Sequence, residues 1–166
     1  MWHFSSSASA GHEVASQPPA LYVHVDRVSD PARKLSDHAG ERIADSIQHV
    51  LATSEMATAW PGALPKLAEL ELHGSRAFIV AATVHEVKID TTGRRASIAC
   101  RVGIRVAPWY GVDGGEKWEG TNTATAMGSA RVSTSGSTEQ GVRDCVTEVA
   151  TSVVTNRIVP FLRDLK

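Results

Sequence analysis

The sequence predicts an α+β domain: a two-layer sandwich with one mixed, mostly antiparallel sheet and helices on one face. Three observations carry this. Ala96 to Val106 alternates strictly, with Ala96, Ile98, Cys100, Val102, Ile104 and Val106 on one side and Ser97, Arg101 and Arg105 on the other. That is a strand with one buried face. Leu35, Ala39, Ile43, Ile47 and Leu51 recur every fourth residue, the stripe of an amphipathic helix. A second apolar stripe from Val142 to Ile158 marks a closing helix.

The elements follow in chain order. Met1–Pro19 is rich in Ser, Ala and His and poor in groups that could offset the entropy of ordering. It is read as a disordered tail, not an intact secretory signal. Residues 20–166 then form a single domain. Leu21–Asp26 is the first strand, with Leu21, Val23 and Val25 facing the core and Tyr22 and His24 opposite. Ser29-Asp30-Pro31 signals a turn or helix start. The first helix runs from Leu35 to about Thr53. Trp60-Pro61-Gly62 is a loop, and Ala63–Leu70 a short helix with Pro65 in its first turn.

A long strand spans Ala77 to Asp90. Its alternation changes phase, so a bulge near His85-Glu86 is predicted. Thr91–Arg94 is a hairpin turn with Gly93 at positive φ. The strand that contains Ala96–Val106 runs to Ala107, and Tyr110–Lys117 is a longer connection. Trp118–Ser133 is the fourth strand, with Ala124, Ala126, Gly128, Ala130 and Val132 on one side, small enough for a helix to approach closely. Ser137 or Thr138 caps the last helix. Pro160 should kink or break its final turn. The order is β-α-(α)-β-β-β-α.

Composition narrows function. The 166 residues carry a formal net charge of −1, so nothing draws the chain toward nucleic acid or an anionic membrane. No apolar run approaches the roughly 20 residues of a membrane span. The seven histidines are His3, His12, His24, His38, His49, His73 and His85, and none pairs at ligand spacing. No cofactor or metal is expected. Ser129 and Ser133 lie outside any nucleophile motif, and the carboxylates Glu69, Glu71 and Glu86 read as solvated. Gly111-Val-Asp-Gly-Gly is no phosphate cradle.

Two features remain open. Cys100 and Cys145 both fall on buried faces; two small core residues is the preferred reading, a strand-to-helix disulfide the alternative. Trp109, Tyr110 and Trp118 flank the long connection. Trp109 and Trp118 would form a cross-strand pair worth about 0.5–1 kcal/mol, or the loop would be an exposed aromatic tip that anchors a protein partner. Arg101 and Arg105 could add an anion-contacting patch.

The first strand Leu-Tyr-Val-His-Val-Asp, the helix after it and the Val-rich closing helix resemble small bacterial envelope domains. These are the TolB amino-terminal domain, the penicillin-binding-protein activator lipoproteins and the curli-secretion lipoprotein. Arg76-Ala-Phe-Ile-Val-Ala-Ala-Thr-Val with Gly-Ser-Ala-Arg-Val-Ser also resembles a carboxy-terminal domain of myxobacterial HEAT-repeat proteins. The resemblance spans about residues 20–163. It implies a non-catalytic protein-binding or assembly module of the periplasm or outer envelope, with a cytoplasmic site as the alternative. Two other functions compete: a small metal-dependent or hydrolytic enzyme built on His24 and His85, and a structural domain of a larger repeat protein.

Overall fold

A computed structural model describes residues 17–118 and 120–166. Most of the expected tail, with His3 and His12, lies outside them. Four strands form one sheet in the order β1-β2-β3-β4: β1 (Leu21–Val25), β2 (Arg76–Thr92), β3 (Arg95–Pro108) and β4 (Ala124–Thr134). β1 runs parallel to β2, and the other pairings are antiparallel. The crossover between β1 and β2 carries α1 (Ala39–Thr53) and α2 (Leu67–Leu72). A short α3 (Gly111–Gly114) lies between β3 and β4, and α4 (Thr138–Val153) follows β4. A π-helical turn at Val154–Ile158 leads into α5 (Val159–Asp164). The α+β fold is the one predicted.

The main core lies between the inner face of the sheet and α1, α4 and α5. The predicted stripe of α1 is buried at Ala39, Ile43, Ile47 and Leu51. The helix begins at Ala39, not Leu35. Asp30 accepts the backbone N–H groups of Lys34 (3.0 Å) and Leu35 (2.8 Å), and His38 sits at φ 62°. Local capture of backbone donors by an Asp side chain displaces the helix start. α2 likewise begins after Pro65, where the Glu69 carboxylate accepts the Lys66 N–H at 3.1 Å.

β2 carries the predicted bulge: its register with β3 shifts between Val84 and Glu86. The extra residue returns Val87 to the inner face, where it joins Val80, Ala82 and Val84 in the core. β4 presents its small residues to α4, and the fit is tight. A Cβ on Gly128 would stand 2.6 Å from Val153 Cγ2 and 2.9 Å from Val149 Cγ1. β4 is shorter than predicted, beginning at Ala124 instead of Trp118. The Tyr110 N–H bonds Gly115 O at 2.8 Å, closing the α3 turn, and Trp118 leaves the strand path.

Ser137 caps α4 by accepting the Gln140 N–H at 3.4 Å. Pro160 neither breaks nor ends the last helix. The wider π turn ahead of it makes room for a residue that lacks an N–H and crowds the carbonyl four positions back. Cys100 on β3 and Cys145 on α4 form a disulfide with Cα atoms 6.2 Å apart. Both are buried, so they are core residues, but the preferred reading of two unlinked thiols gives way to a covalent staple between the layers.

Candidate binding surface on the outer face of the sheet

The face of the sheet turned away from α1 and α4 divides into a covered end and an open end. Alternation along β1 sends Tyr22 and His24 outward, beside Ala77 and Ile79 of β2. Trp109, just past β3, joins Tyr22, Ala77 and Ile79 with Ala107 and Leu70 of α2 in a second apolar cluster, against which Trp60 packs. The rings form a chain. His73 meets Trp60 at 6.2 Å, Trp60 meets Tyr22 at 5.5 Å, Tyr22 meets Trp109 at 5.9 Å, and Trp109 stacks on His24 at 4.5 Å. Burial lowers the His24 pKa below its usual value, against the pull of Asp26, and raises that of the Tyr22 phenol.

Trp109 is therefore neither the cross-strand partner of Trp118 nor an exposed tip. It is 6% exposed and bridges to Glu116 through the backbone. Trp118 is 40% exposed and lies under the Arg105 guanidinium, 4.5 Å from its ring centroid. Arg105 in turn donates from Nη2 to Glu116 Oε1 at 2.8 Å. Tyr110 stands against Lys117, whose Nζ is 4.7 Å from the ring. Two cation–π contacts and one ion pair thus clasp the loop. Glu116 escaped sequence reasoning. Its only signal is an acid placed across a Gly-rich turn from the arginines of β3.

Beside the clasp is a cavity of about 440 Å³, bordered by Leu67, Phe78, Trp109, Tyr110, Lys117 and Asn122. Toward the β2–β3 hairpin the face is open. Register sets Arg101 opposite Glu86 and Ser129, and Ala99 opposite Arg131. A shallow depression of about 610 Å³ lies over Arg101, Met127, Ser129 and Arg131. Lys88 pairs with Glu86 at 2.7 Å, which holds the Glu86 carboxyl below its usual range and the Lys88 amine above its own. Arg131 donates to Ser97 Oγ at 3.3 Å.

The structure separates the two histidines of the enzyme reading. His24 is paired in register with Ile79, while His85 lies six residues further along β2, about 20 Å away. There His85 covers Gly103, where a Cβ would stand 2.7 Å from its Nε2. Among the described residues no group of three or more His, Cys, Asp or Glu side chains is placed to hold a metal ion. Ser129 lies on the outer face of β4, opposite Arg101, and Ser133 is opposite Ser97. No helix among the described residues is long and apolar enough to cross a membrane.

Fold and surface together define a small α+β domain with a disulfide-tied core and an exposed sheet face bearing arginines and aromatics. No family model and no curated protein matches the sequence. Solved structures do match in fold. A homolog of a neuraminyllactose-binding hemagglutinin from Helicobacter pylori aligns with TM-score 0.56 at 9% identity, over 99% of this chain and 91% of the other. The hypothetical protein CT253 from Chlamydia trachomatis aligns with TM-score 0.53 at 14% identity, over 87% and 98%. The lipoprotein GNA1162 from Neisseria meningitidis is more distant, with TM-score 0.44 at 13% identity, over 83% and 100%. At these identities the likeness is one of fold.

Proposed function

We propose that this chain is a non-catalytic protein-binding or assembly module of the bacterial cell envelope. Its partner-contacting surface would be the outer sheet face from Arg101 and Arg105 to Trp118 and Tyr110, with buried Trp109 bracing the loop from beneath. One observation carries the reading. Trp118 stacks with Arg105 on the face that neither α1 nor α4 covers, Arg101 is exposed further back along β3 on that same face, and aromatic and Arg side chains are the usual anchors of protein interfaces. The Cys100–Cys145 bond supports a site of action outside the reducing cytosol. The resemblance to TolB-type and lipoprotein envelope domains points the same way.

The test is partner capture from a bacterial envelope extract with the wild-type domain and the Trp118→Ala/Arg101→Ala variant. Both side chains are exposed, so the variant should keep its fold by circular dichroism. Expected is the loss of at least one captured protein by tenfold or more. Identical capture by the two forms would remove this face from consideration.

A further inference from the structure

The two edges of the sheet differ. Along β1 the outer edge is taken: Tyr22 bridges to Ala57, and the Val23 N–H bonds Ala57 O at 2.8 Å. β4, eleven residues long, pairs with β3 alone among the described residues. An open edge of that length is a template for another strand. With β1 blocked, a head-to-tail chain of copies cannot extend through the sheet. β4 against β4, about a two-fold axis, closes on itself.

We infer that the β4 edge pairs antiparallel with the β4 edge of a second copy of this chain, about an axis through Ser129. The register follows from the strand. Ser129 is the midpoint of Ala124–Thr134, so this axis alone pairs all eleven residues. It sets Ser129 against itself, Met127 against Arg131 and Thr125 against Ser133. Inner residues meet inner residues, and Arg131 never meets its own copy.

The helix layer fits the same operation. α4 runs antiparallel to β4, with Gly141 beside Thr134 and Val153 beside Gly128. Gly141 also lies against Ile98 of β3, so α4 sits astride the last two strands. Across the seam the two α4 axes then lie two strand spacings apart, about 9.6 Å. Packed helices stand about 8–10 Å apart.

Charge agrees. A recess of about 150 Å³ at the edge is bordered by Gly128, Ser129, Glu148 and Ser152, so the axis passes between Glu148 and Ser152. Asp144 precedes Glu148 by one turn, and Asn156 follows Ser152, donating to its Oγ at 3.2 Å. The two-fold sets the acids Glu148 and Asp144 of one copy against the neutral Ser152 and Asn156 of the other. The outer face assigned to a partner protein above remains exposed in the pair, so either proposal can fail alone.

The test combines mass and crosslinking. Light scattering of the purified chain at micromolar concentration should give the mass of two chains. Ser129→Cys should crosslink copy to copy under mild oxidation. Thr125→Cys should not, whereas Thr125→Cys with Ser133→Cys should. Ser129→Lys, which sets two ammonium groups face to face, should raise the dimer dissociation constant about fivefold. Ser129 is exposed, so these changes leave the monomer folded, which circular dichroism checks. A monomeric wild type overturns the inference. So does a dimer in which Ser129→Cys fails to crosslink, or loss of a different captured protein, with no dimer, on Ser129→Lys.

Discussion

Replacing both cysteines, Cys100→Ala with Cys145→Ala, removes the bond between β3 and α4 while leaving small side chains in the core. The bonded residues are 45 positions apart. In the chain-entropy treatment a loop of that length contributes about 4 kcal/mol of stability by restricting the unfolded chain. That is nearly three decades in the folding equilibrium. For a domain of this size it corresponds to a fall in Tm of about 8–16 °C. Both positions are buried, at 3% and 0% exposure, so lost packing adds to the effect. Thermal unfolding followed by circular dichroism, with native and variant protein prepared from an oxidising compartment, measures it. Alkylation of the denatured, unreduced native chain should find no free thiol at either position. A Tm change under 2 °C, or two alkylated cysteines in the native chain, would refute the reasoning.

Two further predictions follow from packing and burial. Gly128→Ala drives a methyl into Val149 and Val153 and should cost about 1–3 kcal/mol, with Val153→Ala recovering part of it; urea denaturation of the single and double variants gives the coupling. The His24 pKa is lower in the folded chain than in the unfolded one, so the unfolded state binds more protons below pH 6.5. The burial of neutral His24 therefore stabilises fully above pH 6.5 and less as pH falls toward the folded value. His24→Phe should flatten the Tm-against-pH curve below pH 6.5, and curves of equal slope for the two proteins would contradict the burial argument.

Much of the fold was legible because the main core has one side. Period-two alternation in β3 and every-fourth-residue spacing in α1 report burial directly, and the phase change in β2 reported its bulge. What the sequence hid depends on contacts distant in the chain or on competition for backbone donors. The Leu35 stripe runs on past the true helix start because Asp30 takes N–H groups that a helix would use. Trp118 extends an alternating pattern, yet it leaves the strand to meet Arg105. The aromatic chain from His73 to His24 joins residues from β1, the two ends of the α2 region and the end of β3, so no window contains it. The disulfide was visible only as two buried faces. Whether those faces meet is a matter of how α4 lies on the sheet.

The π turn before Pro160 also sets the angular phase of everything after it. Each residue advances a helix by about 100°. By accommodating one additional residue, the wide turn keeps Leu162 directed at the core, where it is 0% exposed. Excising a single residue between Val154 and Ile158 would remove the wide turn that accommodates Pro160. It would also rotate the carboxy-terminal segment by about 100°, carrying Leu162 toward water and a neighbouring side chain into its place.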